Sequence, residues 1–182
     1  MTYRFITIPK NSLTLCHILN VHLTFDNPDI LEYVGIIREP YSRFWSAVKE
    51  CTGEYKTRKD EADDNEYEFK GGTVADQIKE GIAQIDETPN DFFKTQKSWL
   101  DKYTVSKIFK YDENLRTNLK SLFADLEDTK LKEQLETVID KDWNTSKHDK
   151  DEEAILILKS TYKDKIETFY ADDFKLWSSW CI

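Results

Sequence analysis

Glycine, proline and cysteine are scarce in this chain of 182 residues: five, four and three respectively. With so few glycines, it contains no Gly-x-x-x-x-Gly-Lys-[Ser/Thr] segment, the phosphate cradle of a magnesium-dependent NTPase or nucleotide kinase. It also lacks the Gly-x-Gly-x-x-Gly turn of a dinucleotide-binding domain. Cys16, Cys51 and Cys181 form an odd set without metal-ligand spacing, which fits a reduced compartment and excludes a dense disulfide framework. No 18-residue apolar run and no signal peptide are apparent, so the chain is expected to be soluble and cytoplasmic, without a membrane span. A bacterial or viral origin suits such a chain. Basic residues are outnumbered, 26 against 35 acidic, for a net charge of −9. General affinity for DNA, RNA or an anionic membrane is disfavoured, and so is a highly sulfated acceptor. A local basic pocket is not.

Aromatic residues make up 13% of the sequence. That is enough, over this length, for one domain (1–182) with a substantial core. The apolar runs Phe5-Ile6-Thr7-Ile8 and Tyr33-Val34-Gly35-Ile36-Ile37 read as buried strands of a parallel sheet, over 3–9 and 32–38. Residues 12–20 should begin a short helix. The alternating stretch 21–25 reads as a further strand, and Pro40 opens a helix to about Cys51. Residues 54–72 are crowded with charge and read as an exposed loop. Thr73 caps a helix with Asp76 three positions on, and Val74, Ile78, Ile82 and Ile85 mark its buried face. A second helical piece follows around 92–100, then a strand over 105–111 and helices over 114–126 and 129–139. A final helix from about Asp151 carries Ile155, Leu158, Tyr162, Ile166 and Phe169 at helical spacing. The pattern predicts a three-layer α/β fold with a mainly parallel central sheet flanked by helices.

Two polar segments follow the two apolar runs: Pro9-Lys10-Asn11-Ser12-Leu13-Thr14 and Arg38-Glu39-Pro40-Tyr41-Ser42-Arg43-Phe44-Trp45-Ser46. Both fall where open α/β sheets bind ligands, at the carboxyl ends of strands. A lysine, hydroxyls and helix N-terminal amides at one end, with arginines and serines at the other, suit a ligand with two separated phosphate-like groups.

The first segment resembles the loop with which sulfotransferases grip the 5′-phosphosulfate of 3′-phosphoadenosine 5′-phosphosulfate (PAPS), in a Pro-Lys-x-x-x-Thr pattern. The second resembles that family's 3′-phosphate motif, Arg-x-Pro-x-x-Arg-x-x-Ser-Ala, as Arg38, Pro40, Arg43, Ser46 and Ala47. A small residue at Ser12 and the ending Tyr170-Ala171-Asp172-Asp173-Phe174 are similar to the carbohydrate sulfotransferase branch. The strand-to-helix step Asp112-Glu113-Asn114-Leu115 is similar as well. The resemblance implies a P-loop NTPase-like sulfotransferase fold and transfer of a sulfuryl group from PAPS to a hydroxyl or amine, without a metal. The acceptor would be a small molecule or saccharide.

By that resemblance Lys10 is the electrophile at the leaving group, and Asn11, Ser12, Leu13 and Thr14 line the phosphosulfate. Arg38 and Ser46 hold the 3′-phosphate, while Asn144 and Ser146 meet the 3′-phosphoadenosine end. Arg43 either joins that phosphate or pairs with a carboxylate. Tyr41, Phe44 and Trp45 read as packing residues, with contact of one of them to adenine as the alternative, and Gln96 falls where relatives place acceptor-site polar groups. The acceptor also needs a general base. His22, on the strand expected beside the phosphosulfate loop, is the first choice, ahead of His17 and Asp26; His148 reads as a surface residue. A protein that keeps the fold and binds nucleotide or a partner without transfer is the alternative.

Overall fold

The computed structural model describes residues 2–11, 13–23, 31–52, 72–141 and 150–179. Ser12, Asp26, the charged loop up to residue 71, Asn144, Ser146, His148 and Cys181 lie outside them. In chain order the elements are β1 (Thr2–Phe5), α1 (Leu13–His22), β2 (Leu31–Ile37), α2 (Pro40–Cys51), α3 (Val74–Asp86) and α4 (Gln96–Leu100). They continue with β3 (Val105–Lys110), α5 (Leu115–Leu122), α6 (Thr129–Asp140), α7 (Lys150–Thr161), α8 (Lys163–Phe169) and α9 (Ala171–Ser179). They group into two compact units. One comprises Met1–Glu39, Thr95–Ser146 and Asp172–Ile182, the other Pro40–Lys94 and Lys147–Ala171.

The first unit is α/β. Its strands run parallel in the order β1-β2-β3, with Phe5 opposite Val34 and Ile37 opposite Lys110. Alternate residues of β2 leave opposite faces. Val34 and Ile36 enter one core with Tyr3, Phe5 and Phe109, covered by Leu15 and Leu19 of α1, Leu119 of α5 and Leu135 and Ile139 of α6. Ile37 and Tyr33 enter the other with Ile8 and Ile108, covered by Leu100 of α4 and Leu176 and Trp177 of α9. The unit is therefore a small parallel sheet between two helical layers. Tyr33 aligns with Val105 but Val34 with Lys107, so one extra residue, Ser106, is accommodated in β3. That bulge re-phases the strand and lets Val105 and Ile108 share a face. Gly35 is needed where α4 lies on the sheet, because a Cβ there would come 2.7 Å from Leu100 Cδ2.

α1 corrects one expectation. The strand read at 21–25 is instead, at 21 and 22, the last turn of this helix. Leu15, Leu19 and Leu23 are all buried, and their four-residue spacing outweighs the short polar–apolar alternation that suggested a strand. Asn20 covers the outer edge of β1: Phe5 N–H donates to its Oδ1 at 2.8 Å, and its Nδ2 donates to Phe5 O at 2.8 Å. This supplies the pairing that an edge strand lacks. Cys16, on the buried face of α1, is fully buried, and burial pushes its thiol up to about 12.

The second unit is helical, built from α2, α3, α7 and α8. α2 buries Tyr41, Phe44, Trp45, Ala47 and Val48, as expected of packing residues. Gly81 of α3 allows close approach, since a Cβ there would stand 2.6 Å from Val48 Cγ2. The capping box at Thr73 and Asp76 is formed, and Val74, Ile78, Ile82 and Ile85 are buried. The Thr73 hydroxyl, then its amide, hold the exposed Asp76 carboxyl below its usual range. Only 96–100 of the helix read around 92–100 forms. Phe92 N–H donates to Asn90 Oδ1, which closes a turn, and Thr95 then caps a fresh start at Ser98 N–H. The single C-terminal helix is in fact three, interrupted at Tyr162 and Tyr170. Among the described residues no helix is long and apolar enough to cross a membrane.

Candidate functional site at the strand ends

Beyond β1 the chain reverses at Pro9. Asn11 N–H donates to Ile8 O at 3.1 Å, closing a four-residue turn with Pro9 second and Lys10 third. Lys10 has φ 68°, the left-handed value that the third residue of a type II turn requires and that glycine ordinarily supplies. It is the one non-glycine residue at positive φ among those described. A lysine there costs about 1–2 kcal/mol of backbone strain. Such strain is tolerated where the side chain is wanted at that point. α1 begins just beyond, and the amides of Leu13 and Thr14 lie in its first turn, where no intrahelical acceptor exists.

Arg38 follows directly on β2, and because the strands are parallel it leaves on the same edge as the Lys10 turn. Its Nη1 donates to Lys10 O at 3.4 Å, and its guanidinium carbon lies 5.4 Å from the centroid of the Tyr111 ring. Tyr111 belongs to the end of β3, tied to β2 by donation of its N–H to Ile37 O at 2.7 Å. Three adjacent strand ends therefore contribute a lysine turn, an arginine and an aromatic support. Asp112 Oδ1 accepts from Asn114 N–H at 2.9 Å, so the Asp112–Asn114 step is a side-chain-closed turn leading into α5.

Beneath this edge is a set of buried amides. Asn11, Gln96 and Asp173 are each fully buried. Asn11 Nδ2 donates to Ile36 O at 3.0 Å and to Gln96 Oε1. Gln96 Oε1 also accepts from Arg38 N–H at 2.7 Å, and Gln96 Nε2 donates to Arg38 O at 2.9 Å. Asp173 accepts the amides of Gln96 and Lys97 at 2.8 and 2.9 Å. The side chain of Asn11 is thus turned into the protein. Gln96, read from the sequence as an acceptor-site group, instead grips the main chain of Arg38. Sequence reasoning gave neither Gln96 nor Asp173 this part.

Lys10, Asn11 and Arg38 are brought together, with Leu13 and Thr14 on the adjoining helix. Ser46 and Arg43 lie on α2 of the helical unit, both buried. His22 closes α1 at the end opposite Thr14, about 12 Å along the helix at 1.5 Å per residue. The positional reason for choosing it as the base is therefore gone. His17 lies midway along the same helix and is exposed. Among the described residues no group of three or more His, Cys, Asp or Glu side chains could hold a metal ion. Comparison of the chain with protein-family models, with curated proteins and with solved structures finds no match.

Proposed function

We propose that this chain is a sulfotransferase that moves a sulfuryl group from PAPS to a hydroxyl or amine, with a carbohydrate among the acceptor classes. The observation that carries the reading is the meeting of the strained Lys10 turn with Arg38 on neighbouring parallel strands, their segments in contact through Arg38 Nη1 and Lys10 O. In the reaction the bond between sulfur and the bridging oxygen of the 5′-phosphate breaks, and a bond from sulfur to the acceptor forms. The acceptor's proton passes to a base, and 3′-phosphoadenosine 5′-phosphate leaves. Lys10 and the first amides of α1 would neutralise charge growing on the departing phosphate. Arg38, with its planar fork, would hold the 3′-phosphate, with Ser46, Asn144 and Ser146 assigned to the same end by resemblance alone.

A second reading, nucleotide binding without transfer, is favoured by one observation: His22 lies at the far end of α1 from the Lys10 turn. Single-turnover assays with labelled PAPS and a panel of hydroxyl and amine acceptors separate the two. Calorimetry without added metal tests what they share. 3′-Phosphoadenosine 5′-phosphate should bind far more tightly than AMP, and Arg38→Ala should remove about 2–4 kcal/mol of that preference. Equal affinity of the wild-type protein for both nucleotides would overturn the proposal.

A further inference from the structure

The buried amides under the strand ends do more than fill space. Arg38 is the first residue beyond β2, where ladder pairing ends. Its main chain is nevertheless held on both sides, because Gln96 presents a carboxamide that accepts from Arg38 N–H and donates to Arg38 O at 2.7 and 2.9 Å. A side-chain amide here replaces the missing strand neighbour. The two bonds fix the peptide planes before and after the Arg38 Cα, and hence the direction in which its side chain departs. The same Gln96 Oε1 accepts from Asn11, the last residue of the Lys10 turn, and Asn11 also donates to Ile36 O at 3.0 Å. One buried oxygen is therefore shared by the two segments that carry the cations. Gln96 is fixed in turn because Asp173 receives its N–H and that of Lys97.

Burying three such polar side chains yields little net stability, because each bond replaces one to water. Buried polar networks instead restrict the chain to few arrangements, and in this one Asn11 Oδ1 alone of the three side chains has a buried atom without a partner among the described residues. We propose that Gln96 and Asp173 are positioning residues of the anion site. They hold the Arg38 main chain in one register at the edge that carries the Lys10 turn, so that a single ligand can reach both cations, while Asn11 anchors that turn through its own bond to Ile36 O. This rests on the reading of the strand ends as a PAPS site, and it goes beyond that reading by assigning two residues that would not themselves touch the nucleotide.

The test uses Gln96→Met, which keeps the volume and removes both bonds to Arg38 and the one from Asn11, whose bond to Ile36 O remains to hold the Lys10 turn. Binding of 3′-phosphoadenosine 5′-phosphate should weaken about tenfold while AMP binding stays unchanged, since only the former engages Arg38. In an Arg38→Ala background the same substitution should cost nothing further. Equal weakening of both nucleotides, or full additivity with Arg38→Ala, would overturn the positioning role. If Gln96→Met does not fold, Gln96→Asn, which keeps the amide but shortens its reach, is put through the same cycle. A ligand-free readout separates this inference from the reading on which it rests. The Arg38 side-chain Nε–H signal in ¹⁵N NMR should be ordered in the wild type and averaged in the variant. If the wild type binds both nucleotides alike, the PAPS reading falls and this signal alone decides: its loss of order sustains the positioning role, and its persistence refutes it.

Discussion

Two lysines, one in each unit, show how differently the two halves of this molecule use a buried or constrained charge. Lys10, in the α/β unit, is partly exposed on a turn whose backbone lies at φ 68°. Lys49, in the helical unit, has a side chain only 3% exposed and an ammonium 2.8 Å from Asp151 Oδ1. Trp45 Nε1 donates to that same oxygen at 2.7 Å. Lys49 sits on regular helix and its charge is answered within its own unit. Lys10 sits, partly exposed, where the backbone is strained. The first arrangement satisfies a buried charge and is costly to break. The second costs stability, and strained residues of this kind cluster at functional sites.

The largest effect expected is on Lys10. Lys10→Ala should lower the single-turnover transfer rate by about 10²–10³-fold, the loss typical of a group that stabilises charge appearing only in the transition state. Nucleotide binding should fall much less, because ground-state contacts persist in Arg38 and the α1 amides. An unchanged chemical step in folded Lys10→Ala protein would remove the contrast between the two lysines.

Next is Asp151→Ala in the helical unit. It takes a carboxylate from a buried ammonium and from an indole N–H. Breaking a buried pair by removing one partner is strongly destabilising. Asp151 is about a third open to solvent, which moderates the loss. A drop of about 2–3 kcal/mol in urea unfolding is expected. The preference for 3′-phosphoadenosine 5′-phosphate over AMP, proposed above for Arg38, should survive in the folded fraction. Stability equal to wild type would mean that Lys49 is held by other groups and that the comparison is drawn at the wrong residue.

The same contrast governs what could be read from the sequence. Features written in neighbouring residues were legible: the apolar run of β2, the Thr73–Asp76 box, Pro40 at the start of α2, and the two cation-bearing segments; the strand expected over 3–9 is shorter, Thr2–Phe5, and most of its apolar run lies beyond it. Features that depend on distant partners were not. Gln96 and Arg38 are 58 positions apart, and Asp173 and Gln96 are 77. Nothing near Gln96 announces that its amide will stand in for a strand. The end of α1 was misread although Leu15, Leu19 and Leu23 carried the signal. The C-terminal helix was read as one because Tyr162 and Tyr170 are not helix breakers. Its buried positions, Ala154, Leu158, Ile166 and Tyr170, instead follow multiples of four. Such spacing drifts by about 40° per step on a straight helix. The interruptions at the two tyrosines re-phase it, at positions no local rule marks.

The smallest effect is the most diagnostic for the turn itself. If Lys10 is held at φ 68° by its surroundings, a residue without a Cβ should relieve strain there, whereas alanine should not. Lys10→Gly should therefore be more stable than Lys10→Ala by about 1 kcal/mol in denaturant unfolding, even after glycine's greater freedom in the unfolded chain is counted. Asparagine, which tolerates the left-handed region, should fall between them. All three variants lose the ammonium, so all should share the same loss of transfer rate. Stability would then order the variants by backbone strain while activity would not distinguish them, which is the separation expected if Lys10 occupies a costly position for its side chain's sake. Equal stability of the glycine and alanine variants would mean that the turn relaxes without cost. The lysine would then carry no more strain than Lys49 does on its helix.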